Sequence, residues 1–427
     1  MNRTIHPGYS LKGTLTVPGD KSISHRALMM GAIAEGETCI TNLMTGKDVL
    51  STRTILEQLG VRIRQNGNQL HIQGKGIRGF STPHGTLNAG NSGTTMRLMS
   101  GILAAQPFTA TLTGDASLSK RPMKRIITPL EQMGAVIESH KNHTAPLTIH
   151  GRHLHPIHYQ SHVASAQVKS CVLFAGLHTS GVTSVTEPAL SRDHTERMLK
   201  AFGVSVGREH LTVSVEGPAC LRGLPVTVPG DISAAAFFIV AASLISRSEI
   251  ILKKVGLNPT RTGILSALQR MGCSITETNQ VNVGDEPMAD LIVRSGQLTG
   301  TTVSGEMIPK LVDEIPVLAV AALFAEGETH IRNAEELRVK ETDRIRAIET
   351  NVIRMGGQIE TFPDGFTIRG PQKIHGAVID SFHDHRIAMA FTVAGLLAEG
   401  ETVIEHAECT EISHPGFFED LRGLLRV

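Results

Sequence analysis

The sequence predicts an α/β chain of two inside-out α/β domains, each made of three copies of one βα unit with buried parallel helices, joined by a two-stranded hinge. Three observations predict it. The pentapeptide "TVPGD" occurs twice, at Thr16–Asp20 and Thr227–Asp231. A unit of the form Leu-x-x-[Leu/Met/Phe]-Gly recurs as "LEQLGVRI" (Leu56–Ile63), "LEQMGAVI" (Leu130–Ile137), "LKAFGVSV" (Leu199–Val206), "LQRMGCSI" (Leu268–Ile275) and "VIRMGGQI" (Val352–Ile359), at spacings of 74, 69, 69 and 84 residues. Between these units lie six stretches that are apolar almost all round: "ISHRALMMGAIA", "GTTMRLMSGILAA", "AQVKSCVLFAGL", "ISAAAFFIVAASL", "IPVLAVAALFA" and "RIAMAFTVAGLLA".

Each Leu-x-x-x-Gly unit reads as the end of an amphipathic helix, stopped by glycine just past its last turn and followed by a strand. The spacing exceeds that of common solenoid repeats and is too regular for chance. A helix apolar on every face is buried on every face, which puts these six helices inside and the sheets outside. Three of them run into near-copies of one turn and strand, "EGETCITN", "EGETHIRN" and "EGETVIEH". The two "TVPGD" copies open the first and fourth units. Pro cannot extend a central strand and Gly turns freely, so each copy marks a change of chain direction. With three units per domain these are the two inter-domain crossings. Residues 18–228 form one domain; residues 1–17 and 229–427 form the other.

Composition narrows the function. A chain of 427 residues exceeds what one core usually serves. A net charge of +1, no tryptophan and two tyrosines leave neither an electrostatic footprint nor stacking platforms for nucleic acid. Five scattered cysteines without a CxxC pair suggest neither a disulfide framework nor a thiolate zinc site. The N-terminal residues lack the pattern of a signal peptide, and the longest apolar run, "AAAFFIVAASLI", is far short of a membrane span. A soluble cytoplasmic protein is expected.

The apolar helices share one more trait: polar and basic residues gather at their starts, in "GDKSISHR", "NAGNSGTTMR", "SAQVKS", "LVDEIP" and "SFHDHR". Helix N-termini offer free N–H groups and the positive end of the dipole. Parallel helices pointing these ends at one cleft would attract anions. Lys21, Ser22, Arg26, Asn91, Ser92, Gly93, Thr94, Ser165 and Gln167 would line one side, and Asp313, His385 and Arg386 the other. Any one of these positions alone reads more readily as an ordinary cap or first-turn residue; their recurrence favours a site. The charge cluster "RVKETDRIRAIE" (Arg338–Glu349) reads as a helix with Lys340 and Arg344 on one face and Glu341 a quarter-turn aside. In "ASLSKRPMKR" (Ala116–Arg125), Pro122 biases Arg121 toward an extended pose. Seven histidines between His140 and His162 read as an exposed strand-and-loop segment rather than a metal site, and "HDHR" as a capping and anion-binding helix start.

With these residues assembled, the chain resembles the enolpyruvyl transferases, and among them the 5-enolpyruvylshikimate-3-phosphate synthases. The likeness runs the full length through "PGDKSISHRAL", "NAGNSGTTMRL", "RPM", "SAQVKS", "SRDHTERML", "VPGDISAAAF", "DEIPVLAVAA", "RVKETDRI" and "DHRIAMAF", in order. The resemblance implies transfer of the enolpyruvyl group of phosphoenolpyruvate to the 5-hydroxyl of shikimate-3-phosphate, without metal or organic cofactor, in a usually monomeric enzyme. It implies that Lys21, Gly93, Arg121, Gln167, Arg344 and Arg386 hold phosphoenolpyruvate. Lys21, Ser22, Arg26, Ser165, Ala166, Gln167, Asp313 and Lys340 would hold shikimate-3-phosphate. Asp313 would be the base and Glu341 the proton donor to carbon, with Lys21 beside the leaving phosphate. Ile412 stands where many members carry lysine, and Ala166 where many carry serine. Ala166 resembles a bacterial subclass often less sensitive to glyphosate, in which Arg192 joins the phosphate contacts; Gly93 is retained where markedly tolerant members often carry alanine, so moderate tolerance is expected.

Two other readings compete. The sister enzyme that acts on UDP-N-acetylglucosamine typically carries a reactive cysteine on the loop corresponding to Ala116–Arg125, which has none here. A non-catalytic repeat scaffold would expose a continuous binding face rather than concentrate polar residues at helix starts.

Overall fold

A computed structural model describes residues 1–426. The chain divides into two compact units. One comprises Met1–Pro18, Pro229–Asn282 and Pro287–Val427; the other comprises Gly19–Val228 and Val283–Glu286. Each has its own hydrophobic core.

The six apolar stretches form helices Lys21–Ile33, Gly93–Leu103 and Ala166–Gly176 in the second unit, and Ile232–Leu244, Ile315–Phe324 and His385–Gly395 in the first. They are the central helices: from Ile23 to Ile33 every residue of the first is buried, and from Ile232 to Ser243 every residue of the fourth. The amphipathic partners are Lys47–Gln58, Lys124–Gln132, His194–Ala201, Gly263–Arg270, Arg344–Arg354 and Phe417–Leu424. The first five end at Gly60, Gly134, Gly203, Gly272 and Gly356, with φ from +78° to +93°. Only glycine adopts that backbone readily, which is why the residue recurs at each stop.

Among the described residues there are six sheets, one per repeat; five share one plan and the sixth has only three strands. A short leading strand runs parallel to a second strand, which continues into an antiparallel pair. In the first repeat Pro225–Thr227 pairs parallel with Glu37–Thr41, which pairs antiparallel with Gln69–Gln73 and that with Arg62–Asn66. The second and third repeats repeat this order. In the other unit Arg3–Ile5 pairs with Thr402–Glu405 and Ser10–Leu15 with Glu249–Gly256, so N-terminal strands complete sheets whose remaining strands lie far along the chain.

One sequence reading is corrected. Lys340 and Glu341 are not on a helix with Arg344. Glu335–Val339 is a 3-10 turn, and the helix starts only at Arg344 because the Asp343 side chain accepts from the Arg346 N–H at 3.1 Å and caps it there. The histidine-rich segment spans the strands Thr144–His150 and His158–Gln160; its rings bond Glu138 and Ser184. Among the described residues no group of three or more His, Cys, Asp or Glu converges to hold a metal ion, and no helix is long and apolar enough to cross a membrane.

Candidate active site

In the unit containing Gly19–Val228, the starts of the three central helices carry the predicted residues. Asp20 caps the first helix, accepting from the Ile23 N–H at 2.8 Å, which places Lys21 as its first residue. The Lys21 ammonium donates to Asp48 at 3.1 Å. Ser22 offers its carbonyl to Arg26 at 2.9 Å. The rest of the Arg26 fork is fixed by neutral oxygens, Nε to Thr195 at 2.7 Å and the second terminal nitrogen to Ser170 at 2.8 Å. Burial lowers the proton affinity of Arg26 to about 10 against the pull of Glu196 and Asp20, with Arg192 opposing them. Arg192 therefore acts on the same local field as Arg26.

Ser92 caps the second helix and Gly93 opens it. A β-carbon on Gly93 would lie 2.9 Å from an Arg97 terminal nitrogen and 3.5 Å from one of Arg121. Glycine is thus where two guanidinium groups approach the backbone. Arg97 donates to the Gln167 side chain at 2.5 Å, and Gln167 donates to Thr94 at 3.0 Å, joining the second and third helix starts. Arg121 is extended, with φ −75° and ψ 139°, and donates to Asn91 at 2.8 Å. Ser165 caps the third helix, Ala166 is its first residue, and the Ser165 N–H donates to Glu187 at 3.1 Å.

In the other unit the predicted residues form one charged cluster. Arg344 is buried and donates to Asp384 at 2.8 Å, to Glu341 at 2.7 Å and to Asp313 at 3.4 Å. Burial alone would weaken its hold on the proton, but Asp384, Glu341 and Asp313 outweigh it and raise that hold above the ordinary value. Arg386 donates to the Asp313 carbonyl at 3.1 Å and lies 3.8 Å from Glu314. Lys340 lies 3.6 Å from Asp313 and 3.3 Å from Glu336. Asp384 ties the Arg344 side chain to the Arg386 backbone: it accepts from Arg344 Nε and caps the last central helix through the Arg386 N–H at 2.9 Å. Ile412 ends a 3-10 turn and rests against this unit's core.

Sequence reasoning missed several partners: Asp48 under Lys21, Arg97 beside Gly93, Glu314 behind Arg386, and Lys169, Glu187 and Glu196 behind Ser165 and Arg26. Arg97, Glu314, Lys169 and Glu196 lay inside motifs already singled out, but their sequence positions did not distinguish a buried charge from a solvated one.

The model of the EPSP synthase (3-phosphoshikimate 1-carboxyvinyltransferase) family matches residues 5–421. The chain belongs to this family. It is 52% identical over 416 residues to the 3-phosphoshikimate 1-carboxyvinyltransferase of Brevibacillus brevis, covering 97% of this chain and 98% of that one. It is 54% identical over 426 residues to the enzyme of the same name from Synechocystis, covering 98% and 95%. A solved EPSP synthase structure from Acinetobacter baumannii superposes with a TM-score of 0.89 at 44% identity, over 99% of this chain and 98% of that one. The two-domain α/β fold of EPSP synthases is therefore the fold of this chain.

Proposed function

We propose that this chain transfers the enolpyruvyl group of phosphoenolpyruvate to the 5-hydroxyl of shikimate-3-phosphate and releases phosphate, a step of aromatic amino acid biosynthesis. The observation that carries the reading is the family match across residues 5–421, in a chain that supplies fixed cations in one unit and a carboxylate cluster around Arg344 in the other. Both substrates carry a carboxylate and a phosphate, so bringing them together requires several such cations. Lys21, Gly93, Arg121, Gln167, Arg344 and Arg386 act on phosphoenolpyruvate. Lys21, Ser22, Arg26, Ser165, Ala166, Gln167, Arg192, Asp313 and Lys340 act on shikimate-3-phosphate.

The step balances as an addition followed by an elimination. Asp313 takes the proton of the 5-hydroxyl as that oxygen bonds to C2 of phosphoenolpyruvate, and Glu341 delivers a proton to C3. The tetrahedral intermediate then loses phosphate from C2 as Glu341 takes a proton back from C3, restoring the methylene, and the proton held by Asp313 leaves with the phosphate. A carboxylate bonded to a guanidinium has no proton to give, so Arg344 turns from Glu341 to the substrate carboxylate and Glu341 takes up a proton from solvent before it acts. Lys21 likewise exchanges Asp48 for the phosphate that departs. We place the enzyme in the cytoplasm as a monomer, with moderate glyphosate tolerance from Ala166 beside the retained Gly93.

The test is phosphate release from phosphoenolpyruvate with shikimate-3-phosphate in one reaction and UDP-N-acetylglucosamine in another. Release is expected only with shikimate-3-phosphate, reduced by about 10²–10⁴-fold in Asp313→Ala, and inhibited by glyphosate more weakly than in the sensitive subclass. Release only with the sugar nucleotide would assign the sister reaction; none from folded protein would leave the repeat fold without the chemistry.

A further inference from the structure

We infer that Lys169 is a positioning residue for shikimate-3-phosphate: from inside the third central helix it fixes the two carboxylates that set Ser165 and the surroundings of Arg26. This inference rests on the assignment of Ser165 and Arg26 to that substrate. The Lys169 side chain is 1% exposed, and its ammonium lies 2.8 Å from Glu187 and 2.8 Å from Glu196, themselves 2% and 6% exposed. Glu187 uses its two oxygens differently. One faces Lys169, and the other accepts the Ser165 N–H at 3.1 Å. Ser165 is the cap of its helix, so that N–H has no place in the helical ladder and takes its direction from Glu187. On the other side, Glu196 is adjacent to Thr195, which accepts Arg26 Nε at 2.7 Å and bonds Ser170 at 2.6 Å. One lysine thus anchors both the loop before the helix and the helix that carries the Arg26 acceptor.

Packing alone does not call for a charge here. The fourth residue of the other five central helices is Ser24, Met96, Ala235, Leu318 or Ala388, and each is buried. The same position in the same architecture is filled five times by a small or apolar side chain. A buried ion pair is weak evidence for stability, since well-packed apolar groups often replace one without loss. What an apolar residue at 169 does not do is engage one oxygen of Glu187 and leave the other turned to Ser165.

The experiment compares Lys169→Met, Glu187→Ala, Glu187→Gln and the double variant Lys169→Met/Glu187→Gln, with Ser165→Ala as a control on the substrate assignment. Folding is followed by circular dichroism, shikimate-3-phosphate affinity by calorimetry, and KM separately for each substrate. Lys169→Met and Glu187→Ala are expected to weaken shikimate-3-phosphate about 10-fold or more while KM for phosphoenolpyruvate moves less than about 3-fold. Glu187→Gln keeps an acceptor oxygen for Ser165 and is expected to stay within about 3-fold of the native affinity. Introduced into Lys169→Met, it restores the native charge count and recovers part of the affinity. If Lys169→Met does not fold, Glu187→Ala decides the matter by the same split. A folded Lys169→Met or Glu187→Ala with native shikimate-3-phosphate affinity, or with both KM values raised equally, overturns the inference. Native affinity in Ser165→Ala overturns the substrate assignment itself; weakened affinity in Ser165→Ala alone leaves that assignment standing and removes the role of Lys169.

Discussion

The two "TVPGD" segments are one piece of structure used for two purposes. Both end in an aspartate that caps a buried helix: Asp20 accepts from the Ile23 N–H and Asp231 from the Ser233 N–H, each at 2.8 Å. In both the glycine is required by close approach. A β-carbon on Gly19 would sit 1.9 Å from the Asn42 carbonyl oxygen, and one on Gly230 would sit 2.8 Å from Val17. The division between the two units falls within both copies, at Pro18/Gly19 and at Val228/Pro229. Past the aspartate they part. Lys21 bonds Asp48 and is followed by His25 and Arg26, whereas Ile232 is buried in the core and is followed by Ala236 and Phe237. The turn, cap and crossing belong to the architecture, and the residues after them differ: one helix start presents a paired cation and the other a core side chain.

Exchanging the residues after the caps breaks this comparison most severely. Lys21→Ile removes the cation proposed to act on phosphoenolpyruvate and is expected to lower kcat/KM by about 10³-fold. Its effect on stability should be smaller than that of the reverse exchange, because Lys21 sits at a helix start with part of its side chain exposed beside Asp48. The reverse exchange, Ile232→Lys, puts an uncompensated charge at a site 1% exposed and is expected to destabilise the protein by about 3–5 kcal/mol. Urea unfolding and steady-state rates on both variants separate the two expectations. A Lys21→Ile enzyme with native rates, or an Ile232→Lys protein with native stability, would mean the two copies are not specialised in this way.

The histidine after the first copy sharpens the comparison by pH. His25 is buried, bonded to Thr52 at 2.7 Å, and held well below its usual protonation range first by burial and then by Lys21 and Arg26; Ala236 stands at the corresponding place in the other copy. The sign follows from linkage. Below about 6.5 the unfolded chain takes up a proton that the folded His25 refuses, so stability falls as pH drops from there. His178, lowered to about 4 by burial and then Arg78, adds to the same loss. His25→Asn retains a hydrogen-bonding side chain without the titration. Its unfolding free energy between pH 6.5 and 4 is expected to fall less steeply, by up to about 1.4 kcal/mol per pH unit. Parallel pH profiles for the two proteins would remove His25 from the acid response.

How much of this was legible in the sequence depended on whether the signal was local. The six buried helices and their amphipathic partners were legible because apolar faces and C′ glycines repeat at fixed intervals, and Gly60 and Gly134 have the backbone that their position demands. The placing of Lys21, Gly93 and Ala166 at helix starts was legible because caps and motifs share those few positions. Lys340 and Glu341 were misplaced because charge spacing suits a helix as well as a 3-10 turn ahead of one, and the Asp343 cap decides between them. Lys169, Glu187 and Glu196 were invisible as a group. Their pairing depends on a helix, a loop and a second helix meeting, and nothing in a residue's type tells a buried ion from a solvated one.

The smallest expected effect concerns the caps themselves. Asp20→Ala removes one side-chain acceptor from a helix start and is expected to cost about 1 kcal/mol. Asp231→Ala removes the same cap but also a partner of Arg261, 3.4 Å away and 3% exposed, so it should cost roughly 1 kcal/mol more. Arg261 keeps Ser233 at 2.6 Å, which limits the difference. The catalytic consequence runs the other way. Asp20 fixes the first turn that presents Lys21, so Asp20→Ala should lower kcat/KM more than Asp231→Ala despite the smaller loss of stability. Measuring both quantities on both variants therefore tests for a crossing of ranks. If the less stable variant were also the less active one, activity would simply track folding, and the division of labour between the two copies would stop at Lys21 rather than begin with the cap.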